Sequence, residues 1–69
     1  MDVEELRRSH FRAAEEYFAS VIELRRLRAA GVARRDYQIF WRDRVEPAGS
    51  VVRAARVALE HAQERLILS

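Results

Sequence analysis

Apolar residues return every three or four positions along the first part of the chain. Val3, Leu6, Phe11, Ala13, Ala14, Tyr17, Phe18, Val21, Ile22, Leu24 and Leu27 gather on one side of a helical wheel. Glu5, Arg8, Arg12, Glu16, Glu23 and Arg26 fill the other. At about 100° per residue this is an amphipathic helix. The apolar stripe covers roughly half the circumference, wider than one packing partner needs, and predicts contacts with two neighbouring helices.

Local signals set the ends of this helix at about residues 2–30. Asp2 is a good N-cap, Glu5 three residues later completes a capping-box-like pair, and Glu4 adds negative charge at the positive end of the helix dipole. Gly31 reads as the left-handed residue just past the C-cap, with Leu27 and Val32 as the apolar pair of a Schellman ending. Arg25, Arg26 and Arg28 then lie in the last turn, where cations favour the negative dipole end.

The rest of the chain predicts two more helices. A short one covers about residues 34–45 and is stopped by Pro47 and Gly49. On it Tyr37, Phe40 and Trp41 form a core plug, with Arg44 stacked over a ring. A medium helix covers about residues 49–67, with Val51, Val52, Ala55, Ala58, Leu59, Ala62 and Leu66 as its stripe. Its small residues Ala55, Ala58 and Ala62 permit close helix approach. The expected fold is therefore all-α: long, short and medium helices in an antiparallel arrangement, forming one small domain over residues 1–69.

Length suggests that this arrangement is completed by dimerisation. The first helix is about 43 Å long and the third only about 28 Å, which leaves apolar length uncovered on the first. Chains below roughly 70–80 residues seldom build a core worth more than about 3–5 kcal/mol, and they add staples or oligomerise. Without cysteine there is no disulfide framework. The stripe residues Leu6, Phe11, Tyr17, Phe18, Val21 and Leu24 are accordingly the expected dimer or core face.

Charge sharpens the picture. Residues 1–24 carry three Arg against six acidic residues, residues 25–44 seven against two, and residues 45–69 three against three. The middle segment, at +5, points to an acidic partner or to the acidic first segment of the same or a neighbouring chain. Arg35, Gln38 and Arg42 form a ridge on the short helix with Ile39 beside it, and these four are the candidate partner-binding residues. Ile39, Val57, Ile67 and Leu68 lie off the apolar faces or at the chain end and suit a subunit contact. All thirteen basic residues are Arg, which with abundant Ala suggests a GC-rich bacterial or phage genome.

Little here supports catalysis or a cofactor. Ser9 and His10 are adjacent and so point to different helix faces, the wrong geometry for a nucleophile and its base. Neither His10 nor His61 has the Glu-x-x-His spacing of carboxylate-bridged metal bundles, and no Gly-rich phosphate loop is present. The acidic N-terminus has no apolar signal region, and no run approaches the length needed to span a bilayer, so a cytoplasmic location is expected and membrane partners are not.

The run Ala30-Gly31-Val32-Ala33-Arg34-Arg35 locally resembles the turn of helix-turn-helix regulators of the tetracycline-repressor type. The likeness covers about a dozen residues and implies DNA contacts from Arg34, Arg35, Gln38 and Arg42. The chain departs from that pattern at Arg26 and Leu27, where small and apolar residues are usual, and at Tyr37, where an aliphatic is usual. The function expected from the residues is a non-enzymatic helical interaction protein, an assembly, adaptor or regulatory subunit working through apolar stripes and Arg–carboxylate pairing. Its partner is itself or a larger protein. The alternative is a small DNA-binding regulator using the segment after Gly31.

Overall fold

The computed structural model describes residues 2–68, which form a helical hairpin. The first arm, α1, is Val3–Ala29. Asp2 is extended, and its carboxylate accepts the Glu4 N–H at 3.4 Å while Glu4 and Glu5 occupy the first turn. The arm closes as a Schellman turn: Gly31 adopts φ +78°, its N–H donates to the Arg28 carbonyl, and the Val32 N–H donates to the Leu27 carbonyl, each at 3.2 Å. Leu27 and Val32 are both half-buried beside it.

The second arm is one helix where two were expected. It starts as α2, Arg34–Phe40, widens into a π turn at Trp41–Val45, and continues as α3, Glu46–Leu68. The long–short–medium arrangement is thus replaced by two antiparallel arms, still all-α, with no strand among the described residues.

Pro47 fails to stop the arm because of where the π turn places it. In an α-helix the proline ring would strike the carbonyl four residues back, that of Asp43, and no N–H would reach it. Here Glu46 donates its N–H five residues back, to Trp41, and the enlarged turn moves these carbonyls. Pro47 becomes the second residue of a fresh α-helical segment, where a missing N–H is tolerated. Gly49 fails as a breaker for a different reason. It is buried against the Tyr17 ring, so its missing side chain allows the arms to approach.

Half-buried and buried residues trace the seam. On α1 the seam is Val3, Leu6, His10, Ala13, Tyr17, Ser20, Leu24 and Leu27, alternating by threes and fours, with half-buried Ala14 and Val21 beside it. On the second arm the seam is Tyr37 and Phe40, then Val45, Ala48, Val52, Ala55, Leu59 and Ala62, with buried Gly49 and half-buried Gln63 beside it. The five-residue step from Phe40 to Val45 is the extra residue of the π turn. Without that residue taken up in the wide turn, everything beyond it would rotate by about 100° off the seam.

The segments of the second arm hold 7, 5 and 23 residues, so at about 1.5 Å each it is about 52 Å long. That is longer than α1. The expectation that part of α1 lacks a covering helix is therefore overturned along its length. Fourteen residues back from Tyr17 is Val3, and fourteen forward from Gly49 is Gln63, so Leu66, Ile67 and Leu68 extend past the start of α1.

Covered length does not make a deep core. Ala13 (6% exposed), Val45 (4%) and Gly49 are the buried residues among those described. The hairpin measures 54 × 15 × 14 Å with a radius of gyration of 15.7 Å, against about 11 Å for a compact chain of this length. Its accessible surface is 5636 Å², against roughly 4,500 Å² for a folded monomer of this mass.

Candidate interaction surface

A two-helix rod has two broad sides flanking its seam, and here they differ in chemistry. On one side, Glu16, Ala19, Ser20 and Glu23 of α1 share a shallow recess with Phe40, Asp43, Arg44 and Ala48 of the second arm. The Arg44 guanidinium sits 5.7 Å from the Phe40 ring centre. The α1 half of this side alternates the carboxylates Glu16 and Glu23 with the small residues Ala19 and Ser20.

The other side carries the large apolar groups of α1, with Phe11 set in a recess among Glu4, Arg7, Arg8, Arg12 and Glu15. Phe11 and Phe18 are seven residues apart and so nearly in line, and Ile22 follows one turn later. They are 65%, 63% and 50% exposed. Ala14 and Val21 lie between this line and the seam. Tyr17 and Phe18 rings meet at 5.9 Å, tilted by 56°, linking seam to strip. On the second arm Trp41, 48% exposed, borders one recess with Tyr17, Gly49 and Arg53 and the next with Leu24, Arg28 and Tyr37.

The expected stripe therefore divides. Leu6, Tyr17, Val21 and Leu24 are half-buried on or beside the seam, while Phe11 and Phe18 face away from it. The three aromatics placed together as a plug also divide. Tyr37 is half-buried with the Arg28 guanidinium 5.3 Å from its ring centre, and Phe40 is half-buried beneath Arg44. Trp41, at the start of the π turn, lies outside the seam. One signal could have indicated this: adjacent Phe40 and Trp41 are about 100° apart on a helix and cannot both face one seam.

The ridge residues come together. Arg35, Gln38, Ile39 and Arg42 line one open recess with Trp41 and Glu46, and all are exposed. The Arg42 Nε donates to Asp43 Oδ1 at 3.0 Å. Among the described residues the other ion pairs, Arg7–Glu4 at 3.6 Å, Arg26–Glu23 at 3.7 Å and Arg56–Glu60 at 3.9 Å, lie within single helices and in solvent. Such pairs are worth about 0.3–0.5 kcal/mol each and do not hold the arms together.

Among the described residues no three His, Asp or Glu side chains converge to hold a metal ion. No described helix is long and apolar enough to cross a membrane. Compared with known proteins, the chain matches no family model, no curated sequence and no solved structure.

Proposed function

We propose that this chain is a non-enzymatic interaction module, a helical hairpin that binds protein through the apolar strip of α1. The observation that carries this reading is the outward position of Phe11, Phe18 and Ile22 on a helix whose seam is already satisfied by the second arm. Large aromatics contribute heavily to interfaces because each removes 150–250 Å² from water when buried. A folded chain leaves such groups in a line at a cost in solubility, and a partner helix removes that cost.

Arg–carboxylate pairing has a lesser part in this reading. The basic tip, around Arg25–Arg28 and Arg34–Arg44, steers and orients a partner while apolar contact supplies affinity.

The DNA-binding alternative receives less support from the geometry. A helix-turn-helix crosses its two helices at roughly 90–120° so that one can enter the major groove. A rod 15 × 14 Å in cross-section has its arms side by side. The test is size-exclusion chromatography with light scattering, with and without duplex DNA. The interaction reading expects association that persists in 0.5 M salt. A folded monomer binding duplex with a log-affinity against log-salt slope of about −3 to −5 would sink it.

A further inference from the structure

We infer that the occupant of the strip is a second copy of this chain, docked antiparallel about a two-fold axis near residue 16 to give a four-helix bundle. The inference rests on the interaction reading above and commits it to one partner.

The strip is self-complementary. Phe11 and Phe18 of the strip, with Ala14 and Val21 on its seam-side flank, follow one another along α1 as large, small, large, medium in the order Phe11, Ala14, Phe18, Val21. A two-fold axis near residue 16 sets Phe18 over Ala14 of the second copy and Phe11 over its Val21. An isologous interface needs this property, that one patch fit itself in reverse.

Charge gives the direction. The tip segment, residues 25–44, carries +5, whereas the open end begins with Asp2, Glu4 and Glu5. Antiparallel docking lays each tip beside the other copy's open end and brings Glu4 opposite Arg28. It also sets Arg7 opposite Arg25, a contact softened by Glu4, 3.6 Å from Arg7. Parallel docking would place two tips of +5 side by side.

Area gives the scale. The hairpin exposes about 1,100 Å² more than a compact chain of its mass. A standard interface buries about 800 Å² per partner, so one such contact accounts for most of the excess.

The test uses the full chain with a single engineered cysteine, Ala33→Cys, spin-labelled at the tip. Light scattering is expected to give twice the chain mass, and dipolar spectroscopy a label separation of roughly 40–50 Å, since each tip lies about fourteen residues from the axis. Phe18→Glu and the milder Phe18→Ser, with helicity checked by circular dichroism, should weaken self-association about 100-fold or more, because each change acts at both copies. Val51→Glu, an exposed position one turn on from Ala48 of the recess on the opposite broad side, should leave it intact. A label separation below about 25 Å overturns the antiparallel arrangement. So does a dimer lost in Val51→Glu but retained in both Phe18 variants. A folded monomer at high concentration overturns the second copy as occupant. If that monomer ignores duplex DNA the interaction reading stands with a larger partner, and if it binds duplex with the stated salt slope both fall.

Discussion

The Tyr17 ring occupies the space that a side chain at Gly49 would need: a Cβ placed there would lie 3.2 Å from Tyr17 Cε1 and 3.4 Å from Arg53 Nη1. The two residues set the separation of the arms near their middle. Glycine in a helix interior costs about 1 kcal/mol relative to alanine, so the close approach is bought against local propensity. Gly49→Ala should therefore be nearly neutral, within about 1 kcal/mol, as the propensity gain offsets a small shift of the half-buried ring. Gly49→Leu has no such escape and should lower stability by about 2–3 kcal/mol, the range for overpacked sites. Urea unfolding followed by circular dichroism measures both. A Gly49→Leu variant as stable as the parent would mean the arms are not held at this distance.

Gly31 presents the opposite case. Nothing lies within 4 Å of a Cβ built there, yet its φ is +78°. Gly31→Ala should destabilise by about 1–2 kcal/mol through backbone strain alone, the typical cost of a left-handed residue with a Cβ. Gly31→Asn, which tolerates that conformation better, should recover part of the loss. Equal stability of all three forms would place the turn in another conformation.

These two glycines also show how much was legible in the sequence. The first arm was readable almost to the residue, because Asp2, the three-and-four periodicity and Gly31 all act locally and agree. The second arm is not legible in the same way, because Pro47 and Gly49 are punctuation only in an ordinary α-helix. A π turn ahead of Pro47 and a tyrosine against Gly49 are tertiary facts, visible in sequence only as the odd five-residue step from Phe40 to Val45. An arm divided at Pro47 would leave α1 uncovered along part of its length, whereas the continuous arm covers it. The strip itself was visible as a stripe too wide for one neighbour, but which residues turn outward depended on where the second arm lies.

The π turn should behave as a removable insertion. Deleting Asp43, an exposed residue paired with its neighbour Arg42, would return the segment to α-helical phase and keep Tyr37, Phe40 and the Val45 side chain on the seam. Pro47 would then clash in a regular helix, so the deletion is combined with Pro47→Ala. This double variant should unfold within about 1 kcal/mol of the parent, since it trades an unusual turn for regular hydrogen bonds. Deleting Arg56 instead would rotate Leu59 and Ala62 off the seam by about 100° and should cost several times more. Thermal unfolding of the two variants ranks them, and the reverse order would mean the π turn is a requirement of the fold.

The arginine ridge and the apolar strip make separable contributions, and charge reversal tests the difference. Arg35→Glu combined with Arg42→Glu changes the 25–44 segment from +5 to +1. Both positions are exposed, and the ion pair removed, Arg42–Asp43, lies in solvent. Stability should move by less than about 1 kcal/mol. Self-association should weaken by less than about tenfold at low salt, and the difference from the parent should shrink towards 0.5 M salt as rim charges are screened. Phe18→Glu, by contrast, should weaken association about 100-fold or more at both salt concentrations, because it removes desolvated apolar contact. Analytical ultracentrifugation of the three proteins at two salt concentrations gives the comparison. A ridge variant that dissociates as fully as Phe18→Glu, at high salt as well as low, would move the interface from the strip of α1 to the tip.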